Sequence, residues 1–373
     1  MIVIFSNNRM TMNTNNALIL TDGFLDQLQS KTAHGLIFGA SRYHIVGVID
    51  KQHADKDAGM VVMGVDKQIP VFASMSDALQ RLERVPDYCV IGVAPVGGAL
   101  SETLIKTILA AIDAKINIVS GLHSLLCDHP LIALRAKEKG VRLIDIRKPK
   151  PAHELPMWTG KIGAVKTPRI TVIGMDCAIG KRTTAGMLKE LCQAHGIKAE
   201  MIYTGQTGWL QNMSYGFILD STLNDFVAGE VEHAILTCVA EANPELIFIE
   251  GQSALRNPAG PCGAELLCSA GAQYAILQHS PGRMYYTCDT THTYKIPDIT
   301  DEIALVKYYG ASVIAITLNS YGIDKDELPK IKQELQQKTK LPVLCPREEG
   351  VNTLLPILKN IILSEDSHEN HSY

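Results

Sequence analysis

One stretch of the sequence, ITVIGMDCAIGKRTTAGMLKEL, restricts the possible folds of this chain more than any other. Its apolar start predicts a buried strand from residue 169, and its later part predicts an amphipathic helix from Lys181 to His195, capped by Gly196. The glycines at 174 and 180 allow the backbone between them to curl, so that several amides point inward. A lysine and the positive end of a helix beside such amides form a binding site for phosphate groups. The stretch therefore predicts an α/β domain with an anionic ligand at this loop.

The loop departs from the usual phosphate-binding pattern in two ways. Five residues, rather than four, separate its glycines, and Arg182 stands where a serine or threonine normally follows the lysine. That hydroxyl is the usual magnesium ligand, so we expect phosphate binding rather than nucleotide hydrolysis. The residues expected to bind the ligand are Gly174, Asp176, Gly180, Lys181, Arg182, Thr183 and Thr184. The alternative interpretation is an ordinary strand–turn–helix that happens to hold a lysine.

Apolar strands and helices alternate along both halves of the chain, which predicts parallel sheets with right-handed crossovers. A proline-rich segment, residues 148–168, interrupts this alternation. We predict two doubly wound α/β domains, the first Rossmann-like and the second a parallel-sheet domain that contains the P-loop. The predicted bounds are 17–150 for the first domain, 151–168 for a linker, 169–363 for the second domain and 364–373 for a disordered tail.

Composition excludes several classes of partner. The formal net charge is only -4 over 373 residues, so no basic field exists to attract nucleic acid or a membrane surface. The sequence contains no run of about 20 apolar residues, so we predict no membrane span. The nine cysteines include no Cys-x-x-Cys pair, which favours reduced thiols in the cytoplasm over disulfides or a metal site.

Polar residues at strand ends are the candidates for chemistry, because ligands of open α/β sheets bind beyond the carboxyl ends of the strands. Glu250 follows the apolar run LIFI and is a candidate base or metal-binding carboxylate, or else a structural hydrogen-bond acceptor. His279 ends another predicted strand and is a candidate acceptor of a proton from an attacking amine. Arg283 is a candidate partner for a substrate carboxylate. Both also fit the description of ordinary loop residues.

Five further residues are candidate substrate contacts. Gln206, Thr207 and Asp225 lie in segments rich in small polar residues, which turns and a helix start also explain. His123 and Arg147 follow strands of the first half and should share one edge of its sheet. No G-x-G-x-x-G motif follows a strand there, so dinucleotide binding has little support.

Taken in order, these segments resemble the D-glutamate N-acetyltransferase-like family. The resemblance covers about Gly35 to Leu358 and rests on VGVID, IGVAPVGG, SGLHSLL, DIRKP, GMDCAIGKRTTA, TGQTGW, DFVAGEVE, FIEGQSAL and HSPGR. It implies transfer of an acetyl group from acetyl-CoA to the amine of D-glutamate or a related D-amino acid. Glu250, His279 and Arg283 would then be the catalytic residues, and the loop would bind coenzyme A.

Two other functions compete with this expectation. The loop also looks like that of dethiobiotin synthetase, which has the same glycine spacing and an Asp at the place of Asp176 but a hydroxyl residue after the lysine. That likeness implies an ATP- and magnesium-dependent ligase or kinase. A nucleotide-binding protein without turnover is the third possibility. In each case we expect a small-molecule ligand, no nucleic acid or membrane partner, and a homo-oligomer.

Overall fold

The computed structural model describes residues 15–94, 98 and 100–369, and they divide into two compact units. The first unit runs up to Lys148 and includes Trp209–Asn212, and the second holds Pro149–Gly208 and the chain from Met213 onward. Both units are α/β with parallel sheets, which confirms the predicted fold class. No helix of the described ranges is long and apolar enough to cross a membrane.

The first unit contains a six-stranded sheet in the order β3-β2-β1-β4-β5-β6, in which every pair of neighbours is parallel. Its strands are β1 (Asn16–Leu20), β2 (His44–Ile49), β3 (Val71–Phe72), β4 (Tyr88–Ile91), β5 (Asn117–Ser120) and β6 (Leu143–Asp145). Its helices are α1 (Lys31–Phe38), α2 (Ala58–Met63), α3 (Met75–Arg81), α4 (Glu102–Asp113) and α5 (Pro130–Lys139). This strand order is that of a Rossmann fold, with its switch point between β1 and β4.

The centre of that sheet is a strand that the sequence analysis did not predict. β1 pairs with both β2 and β4, although its five residues follow an asparagine-rich segment. Its side chains alternate between two cores: Leu18 and Leu20 pack in one, Ala17 and Ile19 in the other. Because alternate residues of a strand point to opposite faces, this strand is fully buried by helices on both sides.

The second unit contains a seven-stranded sheet in the order β13-β12-β11-β7-β10-β8-β9, again parallel throughout. Its strands are β7 (Arg169–Gly174), β8 (Ala199–Tyr203), β9 (Tyr215–Gly216), β10 (Leu246–Glu250), β11 (Tyr274–His279), β12 (Ser312–Leu318) and β13 (Val343–Leu344). Its helices are α6 (Lys181–Ala194), α7 (Gln206–Leu210, whose last two residues belong to the first unit), α8 (Asn224–Ala242), α9 (Ala264–Leu267), α10 (Ile299–Tyr308), α11 (Leu328–Thr339), α12 (Pro346–Glu349) and α13 (Leu355–Glu369). The central strands β7 and β10 are buried along their whole length, so the loop after β7 lies at the middle of the sheet edge.

The segment predicted as a linker, 151–168, belongs to the second unit and is held against helix α8. The buried carboxylate of Glu232 accepts hydrogen bonds from the Thr159 amide at 2.6 Å and the Ile162 amide at 3.0 Å. The side chain of Ile162 is itself buried. Sequence reasoning missed this packing because the proline-rich stretch has no periodicity of its own.

The predicted tail also differs from the structure at its start. Helix α13 continues to Glu369, six residues into the segment predicted to be disordered from 364. The remaining residues, 370–373, lie outside the described residues, as do 1–14 and most of the APVGG segment at 94–98. All nine cysteines are described, and none forms a disulfide.

The contact between α8 and the 151–168 segment generates a stability prediction. A Cβ atom on Gly229 would lie 1.9 Å from the Pro156 carbonyl oxygen, whereas a Cβ atom on Gly186 of α6 would meet nothing within 4 Å. We expect Gly229→Ala to destabilise the protein by about 1–3 kcal/mol through overpacking. The matched control Gly186→Ala should stabilise it by about 0.5–1 kcal/mol through helix propensity. Urea unfolding of both variants checks this, and equal midpoints would contradict the close contact.

Candidate anion-binding site

The loop between β7 and α6 has the curled backbone that the sequence predicts. Gly180 adopts a φ of 105° directly before the helix, and Ala178 adopts a φ of 51° although it is not glycine. Among the described residues, the backbone amides of Ala178, Gly180 and Thr183 have no hydrogen-bond acceptor. Left-handed residues within a loop, followed by a helix N-terminus, direct amides into one concavity, as anion sites require.

Lys181 is the first residue of α6, and its ammonium group lies at the mouth of the loop. It donates hydrogen bonds to the carbonyl oxygens of Asp176 at 2.6 Å and Ser253 at 2.8 Å. Lys181 is only 6% exposed, and this burial lowers the pKa of its ammonium to about 8, against the opposing effect of the nearby Cys177 and Asp176. The positive charge is thus held in place by neutral carbonyl groups, which an anion can replace.

Asp176 braces the loop from inside rather than facing outward. One carboxylate oxygen accepts hydrogen bonds from the Thr287 amide at 3.0 Å, the Thr287 hydroxyl at 2.7 Å and Nη1 of Arg283 at 2.9 Å. The other accepts the Cys177 amide at 2.7 Å. Because Asp176 is 1% exposed and its oxygens are occupied by protein donors, its side chain fixes the loop shape.

Arg283 completes this brace. Its Nη1 also donates to the Cys177 carbonyl at 2.8 Å and to the Thr287 hydroxyl at 2.6 Å. Sequence reasoning expected Arg283 to hold a substrate carboxylate, whereas the carboxylate it pairs with is Asp176 of the same loop. Its Nε and Nη2 make no hydrogen bond to any residue in the described part of the chain, so two donor nitrogens remain for a ligand.

Glu250 ends β10, the strand beside β7, and is 6% exposed. Its Oε2 accepts the Thr204 amide at 2.9 Å, and its backbone carbonyl accepts the Thr204 hydroxyl. Burial raises the pKa of Glu250, and the nearby charge of Arg182, together with amides of Thr204 and Gly205, opposes that rise. The structure thus brings Glu250 to the predicted edge, in the electrostatic field of Arg182 and Lys181.

The two threonines after Arg182 differ in their surroundings. The Thr184 hydroxyl donates to the Gln278 side chain at 2.7 Å, so its one proton is engaged within the protein. The reason is helix phase: position 184 faces the sheet and is buried, whereas Thr183 is exposed.

His279 lies at the end of β11, on the other side of β7. Its Nδ1 is buried and has no hydrogen-bond partner in the described ranges. Burial lowers the pKa of His279 to about 4, and the charge of Asp298 opposes this shift only partly. The imidazole is therefore neutral at physiological pH.

The remaining candidates divide between the two units. Gln206 and Thr207 are buried in the first turn of α7, two residues after Thr204, while Asp225 is exposed in the first turn of α8. His123 and Arg147 lie in the first unit, where Nη1 of Arg147 donates to the carbonyl of Gly121. They share a sheet edge there, as predicted from their strands.

The first unit shows why a dinucleotide has little support. Asp50 follows β2, the position at which a Rossmann domain presents an acidic residue to a ribose. Here the buried carboxylate accepts hydrogen bonds from the Thr21 hydroxyl, the Leu25 amide and the amides of Gln52 and His53. These protein donors already occupy the two carboxylate oxygens of Asp50, to which ribose hydroxyls would otherwise donate.

Sequence reasoning missed three residues that shape the anion site: Ser253, Gln278 and Thr287. Gln278 directly precedes a predicted strand-end residue, so its position was accessible from the sequence. Ser253 accepts a hydrogen bond from Lys181 through its carbonyl oxygen and adopts a left-handed conformation with a φ of 42°. No pattern in the sequence predicts this conformation. Thr287 lies eight residues past the end of β11, and no local signal connects it to the loop.

Comparison with known proteins agrees with this architecture. The chain matches the model of the DUF1611_C P-loop domain, a domain of unknown function, over residues 156–355, and that of the DUF1611_N Rossmann-like domain over 51–149. A crystal structure of a DUF1611 family protein from Anabaena variabilis superposes with a TM-score of 0.83 at 25% identity, covering 93% of this chain and all of the other.

Two curated relatives are named D-glutamate N-acetyltransferase. The protein from Tritonibacter scottomollicae is 30% identical over 274 residues, which cover 72% of this chain and 80% of the relative. The protein from a Pseudoalteromonas species is 28% identical over 274 residues, covering 71% and 79%. On these matches, and with the fold described above, the chain belongs to the DUF1611 family.

Proposed function

We propose that this protein is an N-acetyltransferase that moves the acetyl group of acetyl-CoA to the amine of D-glutamate or a related D-amino acid. The similarity to two proteins named D-glutamate N-acetyltransferase along more than two thirds of the chain carries the proposal. In this reaction the amine nitrogen attacks the thioester carbonyl carbon, the C–S bond breaks, and coenzyme A leaves as a thiol. The amine loses one proton, so the site needs a proton acceptor.

The chemistry of the anion site supports acetyl-CoA as the donor. Coenzyme A carries a pyrophosphate and a ribose phosphate, and the loop offers Lys181 with the amides of Ala178, Gly180 and Thr183. The two unengaged donors of Arg283 add to this set. These groups can bind the phosphates of coenzyme A without cleaving them. A phosphate-binding loop is therefore compatible with acetyl transfer.

We assign proton acceptance to His279 rather than Glu250. Protonation of Glu250 would remove the negative charge that faces Arg182, whereas Nδ1 of His279 is unengaged among the described residues. A neutral imidazole can accept the amine proton as the C–N bond forms. Gln206, Thr207, Asp225, His123 and Arg147 remain predicted substrate contacts.

We also propose that the protein is cytoplasmic, because its nine cysteines include no Cys-x-x-Cys pair and fit reduced thiols. The homo-oligomer and the absence of nucleic-acid partners stay predictions from the sequence.

The decisive experiment measures thiol release from acetyl-CoA against a panel of D- and L-amino acids, with D- and L-glutamate as the matched pair. We expect release with D-glutamate and formation of its N-acetyl product in equal amount. A parallel arm with ATP and magnesium measures phosphate release. Phosphate release without thiol release would replace the proposal with an ATP-dependent ligase or kinase.

The charge of Lys181 generates a pH prediction. Below its pKa of about 8 the ammonium is charged, and as the pH rises through that value the free protein loses the charge that attracts the anion. Affinity for acetyl-CoA should therefore fall between pH 7 and 9.5, by at most about tenfold per pH unit above 8. Calorimetric titrations across this range measure the slope.

Two variants give that measurement its control. Lys181→Ala should bind acetyl-CoA more than about tenfold more weakly and show no pH slope in this range, because it lacks the titrating ammonium. Lys189→Ala removes a lysine of the same helix that pairs with Glu200 at 2.7 Å, and it should bind like the unmodified protein. If the two variants bound acetyl-CoA with equal affinity, the loop would not be part of the acetyl-CoA site.

If His279 is the general base, its replacement should lower kcat without changing the affinity for acetyl-CoA. His279→Ala should lower kcat by about 10² to 10⁴, the usual contribution of a general base, while the Kd for acetyl-CoA stays within twofold. His195→Ala, which changes a histidine at the exposed end of α6, should leave both unchanged. Unchanged kcat in the His279 variant would transfer the role of base to another residue.

A further inference from the structure

Arg182 occupies the place in the loop at which phosphate-binding proteins present a magnesium-ligating hydroxyl. It is the second residue of α6, and this helix packs against β10, whose last residue is Glu250. A carboxylate at that strand end is well placed to support a metal ion in a phosphate site. In this chain a half-buried arginine stands at the place of that hydroxyl, and the charge of Glu250 acts on it.

The hydroxyl of Thr184 is poorly placed to take over the metal-binding role of the missing one. Thr184 is two residues beyond Arg182, so its side chain points about 200° further around the helix. Its hydroxyl is bound to Gln278 of β11, and Gln278 accepts a second hydrogen bond from Thr317 at 2.6 Å. Thr184 therefore faces β11, and Arg182 lies on a different side of the helix.

The charges of Arg182 and Glu250 balance each other. Of the charges acting on Glu250, that of Arg182 opposes the burial-driven rise in its pKa most strongly, and Glu250 is the charge that acts back on Arg182. Arginine keeps its proton under all physiological conditions, so this positive charge is permanent. A divalent cation beside Glu250 would meet a like charge in a site with little water, which is unfavourable.

We propose that this loop binds a polyphosphate-bearing ligand without a divalent cation, because the guanidinium of Arg182, directly after Lys181 at the start of α6, supplies the positive charge that magnesium supplies in ordinary phosphate loops. Glu250 is then a positioning residue, and Arg182 contacts phosphate oxygens, for which a planar guanidinium is well suited. The proposal rests on the proposed function only for the choice of acetyl-CoA as a probe.

The first test compares binding to the unmodified protein with and without metal. Acetyl-CoA and ADP are titrated calorimetrically in buffer with EDTA and in buffer with magnesium chloride. We expect at least one probe to bind in EDTA, with a Kd that magnesium changes by less than about threefold, or 0.7 kcal/mol. Binding of both probes only in the presence of magnesium, or of neither probe in EDTA, would overturn the proposal.

The two probes separate this inference from the proposed function. Metal-free binding of ADP without binding of acetyl-CoA would support the metal-independent site and contradict the acetyltransferase. Metal-free binding of acetyl-CoA supports both. Binding of acetyl-CoA that requires magnesium, together with thiol release, would leave the acetyltransferase standing and contradict the role of Arg182.

Variants at position 182 then test the residue itself. Arg182→Thr restores the usual hydroxyl, so its affinity in EDTA should fall more than tenfold, and magnesium should restore most of the loss through Glu250. Adding Glu250→Gln to that variant should abolish the rescue. Arg182→Lys keeps a positive charge, is expected to remain metal-independent, and controls for folding, which thermal melting checks. Unchanged affinity of Arg182→Thr in EDTA would contradict the proposal.

Discussion

The ammonium of Lys181 is a positive charge almost entirely removed from water, and the candidate site is organised around holding it. A buried charge is tolerated only where polar groups replace its hydration. Here two backbone carbonyls do so, one from the loop itself and one from Ser253 after β10. Because carbonyls solvate the charge without neutralising it, the ammonium keeps its attraction for an anion. Removing this arrangement would leave a turn between a strand and a helix.

The surrounding residues make the arrangement rigid. Asp176, Arg283 and Thr287 form a closed set of hydrogen bonds behind the loop, which fixes the direction of its amides. On the other side, Glu250 and Arg182 balance each other beside the same helix N-terminus. Asp176 and Glu250, which the sequence analysis associated with ligand binding or catalysis, thus interact with the arginines of the protein itself. The positive potential of the site comes from Lys181, Arg182, the helix end, and the Nε and Nη2 atoms of Arg283.

Local features of the site were predictable from sequence, and long-range ones were not. The strand, loop and helix around Lys181 follow from a contiguous pattern, and Gly196 ends the helix in a left-handed conformation with a φ of 77°, as expected. The orientation of Thr184 was missed because it depends on helix phase and on a side chain of β11, 94 residues away. Thr287 reaches Asp176 across 111 residues, a pairing that only the folded sheet determines. β1 was missed because five residues after a polar segment give too short a pattern, although burial on both faces makes it the centre of its sheet.

A crystal structure of the protein with acetyl-CoA tests the central claim most directly. The account predicts that pyrophosphate oxygens lie within hydrogen-bond distance of the amides of Ala178 and Gly180. It also predicts that Nζ of Lys181 exchanges its contact with the Asp176 carbonyl for a phosphate oxygen. Acetyl-CoA bound elsewhere, with Lys181 still on both carbonyls and the loop amides untouched, would contradict it.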